Sequence, residues 1–202
     1  MNRKILFLQS AFDLLLVYLS AWMNVNKLLS AANLDVVETV TSEKLADLLN
    51  SACEKRMKRA QERTDGEQAT AENRRLRVFV QVNTSDEPQK GGLSSEEAIR
   101  CARHVTEHCG ALQFRGFMTI GALAHSAAAS TPADSSHENP DFARLRATRA
   151  AYCRAACGDV ADENYVELSM GMSADYELAI EMGSSNVRVG STIFGARQPK
   201  GK

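Results

Sequence analysis

The chain has 202 residues, a formal net charge of -1 and five cysteines, a length that suits one domain but is short for a complete eight-stranded α/β barrel, which typically needs ~250 residues. The balanced charge creates no global field for nucleic acid or anionic lipid, so we expect neither a nucleic-acid partner nor a membrane partner. An odd number of scattered cysteines favours free thiols in a cytoplasmic protein over a disulfide scaffold.

Residues 1–23 form an atypical apolar segment that we treat separately. Arg3 and Lys4 precede an apolar stretch at residues 5–22, in a layout similar to a signal peptide or membrane anchor. Asp13 interrupts this stretch with a charge that is costly inside a membrane, and no convincing cleavage site follows. We therefore expect a packing helix or a segment outside the fold, and keep an N-terminal signal or anchor as the alternative.

From Asn24 onward, short β-rich runs alternate with longer helical patterns, which is typical of repeated βα units and a parallel sheet. Several runs are rich in Val, Ile and Phe, as expected of strands covered on both faces. We count five strands, and a closed barrel needs three more. The predicted strands cover residues 34–40, 76–82, 112–120, 166–170 and 187–194.

The helices between these strands have recognisable start signals, either a serine cap followed by an acidic residue or a proline in the first turn. Two polar insertions, at residues 54–75 and 122–138, predict exposed mobile loops or helix extensions. The start signals lie at residues 42–43, 94–97 and 139–141.

The segment from Leu168 to Gly195 predicts a phosphate-binding site. Its first part, LSMGMSAD, passes from a strand into a helix, with Gly171 allowing close backbone approach and Ser173 near the helix N-cap. The unpaired N–H groups and the positive dipole end of a helix N-terminus attract phosphate.

The second part of this segment, VRVGSTIFG, runs from a strand into a Gly-Ser-Thr turn. In α/β barrels the loops after the last two strands often form one phosphate site at the carboxyl-terminal face. Gly190 and the N–H groups of Ser191 and Thr192 would complete such a site. Serine caps and glycine turns also occur without any ligand, and their presence in two consecutive βα units favours the phosphate interpretation.

Together these segments resemble the pyridoxal phosphate homeostasis protein family, whose members are single-domain barrels similar to the N-terminal domain of alanine racemase. The resemblance covers residues 24–197 and leaves 198–202 as a tail. It implies a TIM-like (β/α) barrel that lacks its first three strands. The segments that carry the resemblance are LSMGMSADYELAIEMGSSNVRVGSTIFGAR, FRGFMTIGA, NPDFARLRATR, VQVNTSDEPQKGGL and NVNKLLSAANLDVVETVTSEKLADLLN.

The resemblance implies that Ser173, Gly190, Ser191 and Thr192 hold the phosphate of pyridoxal 5'-phosphate, and that Arg188 faces the pyridine nitrogen. A guanidinium stays protonated and does not readily give the ring nitrogen a proton, so the ring is a poorer electron sink than one paired with a carboxylate. The alternative is that Arg188 is an interior arginine paired with an acidic neighbour.

The chain also departs from the family. An early strand of the family bears the lysine that forms a Schiff base with the cofactor, followed by segments resembling FGENY and WHFIGHLQ, and none of these occurs here. Lys4 and Lys27 are the only lysines before Lys44, and neither has the family's surroundings. We therefore assign no Schiff-base lysine, and a truncated or mis-spliced gene product is the plainest explanation.

The resemblance implies a non-catalytic protein of intracellular pyridoxal phosphate homeostasis, in which the cofactor is bound non-covalently at most, weakly or not at all. Two alternatives remain. One is a truncated partial fold without independent activity, and the other is a racemase-like enzyme that uses the cofactor.

The remaining candidates are weak. Cys101, His104 and His108 have helical spacing, with Cys109 adjacent, but a half-buried helix with polar histidines explains them, so no metal site is predicted. Three further residues, expected to be solvated and without a role in the site, are Lys90, His125 and His137.

Overall fold

The structure, a computed structural model, describes residues 15–17, 25, 29, 34–63, 74–87, 90–122, 125, 138–157 and 165–195. Its strands form one sheet in chain order, and each neighbouring pair is parallel. The strands are β1 (Leu15–Val17), β2 (Leu34–Val40), β3 (Leu76–Gln81), β4 (Leu112–Met118), β5 (Glu167–Met172) and β6 (Asn186–Arg188). The helices are α1 (Glu43–Arg63), α2 (Ser95–His108), α3 (Pro140–Cys157), α4 (Tyr176–Glu181) and α5 (Ser191–Phe194).

The predicted α/β class with a parallel sheet is confirmed. The structure adds one strand that we did not predict, β1, which lies within the apolar segment 1–23 and pairs with β2. The expectation of a packing helix or a segment outside the fold is therefore wrong for residues 15–17. The predicted strand 187–194 is partly wrong, because β6 ends at Arg188 and α5 begins at Ser191. Within the described residues the sheet has six strands, two fewer than a closed barrel of eight.

All three predicted helix starts are confirmed. Leu45 N–H donates to Ser42 Oγ at 3.1 Å at the start of α1. Ser94 and Glu97 form a reciprocal capping box before α2, and Pro140 is the first residue of α3. Residues 54–63 extend α1, as one of the two interpretations of the first insertion predicted. Most of the second insertion lies outside the described residues.

The sheet carries two apolar clusters on its opposite faces. The larger cluster lies between the sheet and the helices and includes Val37 and Phe117. The smaller cluster consists of Val36, Phe79 and Met118. Because successive side chains of a strand point to opposite faces, the smaller cluster marks the face turned away from the helices. We call this the inner face, since it corresponds to the interior of an α/β barrel.

Gly116 permits the close approach of β4 and β5. A Cβ atom at this position would lie 1.8 Å from the carbonyl oxygen of Glu167, far inside van der Waals contact. The two strands pair there in register, so the position requires glycine.

None of the four cysteines whose side chains the structure describes forms a disulfide, and all four are buried. No described helix combines the length and apolar character that spanning a bilayer requires. The signal or anchor considered for residues 5–22 falls almost entirely outside the described residues.

Candidate functional site

The loops that follow β5 and β6 meet at the carboxyl edge of the sheet. The N–H of Gly190 donates to Ser173 Oγ at 2.9 Å, and Thr192 Oγ1 donates to the Ser173 carbonyl at 3.5 Å. These contacts place Ser173, Gly190, Ser191 and Thr192 in one group, which we call the phosphate cradle. The structure therefore brings together the four residues that the sequence predicted for phosphate binding.

The donors of the cradle come mainly from the start of α5. Ser191 and Thr192 are the first two residues of this helix, so their N–H groups lie outside its own hydrogen bonds. Both residues are exposed. A Cβ atom at Gly190 would meet no heavy atom within 4 Å, so the turn borders open space. Two adjacent N–H groups beside open space suit an anion.

The helix α4 contributes less to the phosphate cradle than the sequence predicted. The N-cap of α4 is Asp175, two residues after Ser173. The Asp175 carboxylate is buried and accepts the N–H of Met172 at 2.6 Å, which places a negative group at this helix start. Gly171 has φ +96°, and its close neighbour is the Ala179 side chain, which a Cβ atom would approach to 2.5 Å. Gly171 therefore serves the packing of α4.

Arg188 lies on β6 and is buried. Its Nη1 donates to Ser169 Oγ at 2.8 Å, and its Nη2 donates to the Thr119 carbonyl at 2.6 Å. Burial lowers the pKa of Arg188 to about 10, which still leaves the guanidinium protonated at neutral pH. The side chain alternates with Val187 and Val189 of the helix-side core, so it extends from the inner face.

Glu38 is a residue of this site that sequence reasoning missed. Ser169 Oγ, which accepts from Arg188, donates to Glu38 Oε2 at 2.8 Å. Glu38 is 1% exposed. Burial raises its pKa to about 7, the hydrogen bond from Ser169 opposes this, and the charge of Glu167 adds to it. Glu38 is thus the acidic neighbour that the alternative interpretation of Arg188 required, and Ser169 connects the two side chains.

A match to a known protein family supports the fold described above. Residues 6–198 match the family model described as alanine racemase, N-terminal domain. The chain belongs to the alanine racemase N-terminal domain family.

Curated relatives confirm the resemblance found in the sequence. The chain is 44% identical over 174 residues to a pyridoxal phosphate homeostasis protein of Bos taurus, covering 86% of this chain and 55% of the relative. It is 43% identical over 174 residues to the protein of the same name from Homo sapiens, covering 86% and 54%. The chain therefore spans about half the length of these relatives.

Solved structures confirm the fold class, part of a TIM-like barrel. An unknown protein from Bifidobacterium adolescentis has a TM-score of 0.62 and 30% identity, covering 85% of this chain and 58% of that chain. PipY of Synechococcus elongatus, solved with PLP bound, has a TM-score of 0.59 and 23% identity, covering 88% and 69%. Alanine racemase of E. faecalis has a TM-score of 0.53 and 20% identity, covering 91% and 40%.

In this member of the alanine racemase N-terminal domain family, a polar network continues from Arg188 along the carboxyl edge. Thr119, whose carbonyl accepts from Arg188, lies 2.8 Å from Thr84 between their hydroxyl oxygens. Beyond it, Asp141 Oδ2 accepts the N–H of Ala122 at 2.7 Å. The strand ends nearest Arg188 are thus tied together by hydrogen bonds.

His125 is anchored, which the sequence did not predict, and 42% of its side chain remains exposed. Its Nδ1 lies 2.7 Å from Oδ2 of Asp141, whose side chain is 1% exposed. Burial alone would raise the pKa of Asp141, but hydrogen bonds from Ala122 N–H and His125 lower it below its ordinary value. His137 lies outside the described residues.

Lys90 is also anchored, contrary to expectation. Its Nζ donates to Glu87 Oε1 and to the Gly121 carbonyl, both at 2.7 Å. It sits in the loop after β3, at the carboxyl edge of the sheet. Lys4 and Lys27 lie outside the described residues, and within the described part of the chain no strand carries a lysine.

Proposed function

We propose that this chain binds pyridoxal 5'-phosphate non-covalently, with the phosphate on the cradle and the ring nitrogen toward Arg188, and that it acts in intracellular homeostasis of the cofactor without catalysing a reaction. The observation that carries the proposal is the hydrogen bond from Gly190 N–H to Ser173 Oγ, which joins the two loops predicted to share a phosphate. The names of the curated relatives support the choice of cofactor.

The residues present suit this cofactor. The N–H groups of Ser191 and Thr192 match the acceptor oxygens of a phosphate, and Arg188 places a cation on the inner face. When bound, the cofactor supplies an aldehyde and a pyridine ring that can accept electron density. Because burial leaves the pKa of Arg188 at about 10, Arg188 keeps its proton at neutral pH and does not pass it to the ring nitrogen. Because Arg188 retains this proton, its position favours binding of the cofactor over catalysis.

The alternative of a racemase-like enzyme requires a lysine and a second acid or base near the cofactor. The strands of the described region supply no lysine. Exchange of the α-hydrogen of alanine in deuterated water would favour this alternative. A reduced adduct on one lysine after treatment with the cofactor and borohydride would overturn the non-covalent part of the proposal.

The alternative of a partial fold without activity draws on the two outer strands, β1 and β6, at the ends of the sheet order. Open strand edges invite aggregation. A monodisperse chain with a cooperative thermal transition would count against this alternative.

The cradle predicts that affinity depends on the phosphate. In equilibrium dialysis, pyridoxal 5'-phosphate should bind at least about tenfold tighter than pyridoxal, because charge-assisted hydrogen bonds to phosphate contribute more than ~1.4 kcal/mol. Thr192→Glu should remove this preference, since it places a carboxylate beside the phosphate.

Thr192→Gln is the matched control, because glutamine has the size of glutamate without its charge and occupies the same exposed position. It should keep most of the affinity. Equal affinity of the parent chain for the two compounds would contradict the cradle as the phosphate site.

A further inference from the structure

A second cluster of ligand-type side chains lies on the helices, away from the phosphate cradle. Asp47 of α1, His104 of α2 and Cys109 after α2 offer one carboxylate, one imidazole and one thiol, and these ligand atoms all lie within 4.8 Å of one another. Asp47 Oδ1 is 2.6 Å from His104 Nε2 and 3.8 Å from Cys109 Sγ. We propose that Asp47, His104 and Cys109 form a zinc-binding site.

The donor types favour zinc. Thiolate, imidazole and carboxylate together are typical ligands of Zn²⁺, whereas Ca²⁺ and Mg²⁺ prefer oxygen alone. Tetrahedral coordination with bonds of about 2.0 to 2.3 Å places ligand atoms about 3.3 to 3.7 Å apart. The distances in this cluster span that range, so small side-chain rotations would complete the geometry. Water would fill the fourth position.

The backbone holds the three residues in place. Asn50, one turn after Asp47 on α1, accepts the N–H of Ala111 through its side-chain oxygen at 2.8 Å. Cys109 N–H donates to the Val105 carbonyl at the end of α2. The first contact fixes α1 against the turn after α2, and the second fixes Cys109 against the last turn of α2. A site held by backbone contacts loses less conformational entropy on metal binding.

The surroundings favour a cation and allow it to enter. The negative charges of Asp47 and Glu54 act at the position of Cys109 and attract a divalent cation. The Asp47 side chain is 58% exposed, so an ion can reach the cluster from solvent.

The proposed ligands differ from the residues that helical spacing suggested as a candidate metal site. Cys101 belongs to the helix-side core, and His108 Nε2 lies 3.9 Å from Glu107 Oε2 with its side chain 63% exposed. Asp47 replaces these two residues. The simpler explanation of the cluster is a surface ion pair between His104 and Asp47, with Cys109 beside it by packing alone.

Metal titration of the purified chain distinguishes these explanations. We expect one Zn²⁺ per chain at micromolar concentration or below, and we expect Co²⁺ to produce a thiolate-to-metal charge-transfer band in the near ultraviolet. Cys109→Ser should abolish the band and weaken zinc binding at least about tenfold, and His104→Gln should weaken it similarly. His108→Gln is the control and should bind as the parent does.

The absence of a charge-transfer band in the parent chain, or equal binding by the parent and Cys109→Ser, would overturn the proposal. Circular dichroism of each variant checks folding. If Cys109→Ser does not fold, Asp47→Asn decides the question from an exposed position: a loss of about tenfold supports the site, and unchanged zinc affinity contradicts it.

Discussion

Gly116→Ala should destabilise the chain by at least about 3 kcal/mol, since the clash is with backbone and exceeds ordinary overpacking of a core. The added Cβ atom would lie 1.8 Å from the Glu167 carbonyl oxygen, so β4 and β5 could not keep their pairing. The urea midpoint of unfolding measures the effect.

Gly110→Ala is the matched control, because a Cβ atom at Gly110 meets nothing within 4 Å. Its stability should stay within about 0.5 kcal/mol of the parent. Equal urea midpoints for the two variants would contradict the observed pairing of β4 with β5.

Glu38 should make stability fall as pH rises. Its pKa is raised in the folded chain from 4.5 to about 7, so the folded state holds a proton that the unfolded state has released. This contribution is complete below about pH 4.5 and is lost as pH rises through 7. A difference of that size corresponds to about 3 kcal/mol.

Glu38→Gln should remove this dependence, because glutamine accepts the hydrogen bond from Ser169 without titrating. Denaturant unfolding of the parent and Glu38→Gln at pH 5, 6, 7 and 8 tests it, and the stability difference should shift toward the variant as pH rises. Glu107→Gln, half exposed on α2, should follow the parent. A constant difference between parent and Glu38→Gln would show that Glu38 is already ionised at pH 5.

Local patterns predicted most of the fold. The β-rich composition of residues 34–40 predicted β2 with its observed bounds, and Ser94 with Glu97 predicted the start of α2. The bounds predicted for the last run were wrong because Thr192, Ile193 and Phe194 have strand-like composition, while the first turn of α5 closes on the Gly190 carbonyl. The strand β1 was missed because a three-residue strand is too short to show a periodicity.

The site was predicted only where its residues are close in sequence. Ser173 and Gly190 lie in consecutive βα units, so the resemblance and the turn chemistry found both. Glu38 contacts Ser169 across 131 positions, and no local pattern encodes such a contact. The one local signal was the pair of acidic side chains, Asp35 and Glu38, in a run of mostly apolar residues. The cluster of Asp47 with His104 joins residues 57 positions apart and was missed for the same reason.

The central claim is that the cradle holds the phosphate of pyridoxal 5'-phosphate, and amide NMR of the ¹⁵N-labelled chain tests it most directly. On titration with the cofactor, the amide signals of Ser191 and Thr192 should show the largest downfield shifts, since their N–H groups would donate to phosphate. The amide of Gly110, remote from the cradle, should not move. Unchanged signals of Ser191 and Thr192 at saturating cofactor would contradict the account.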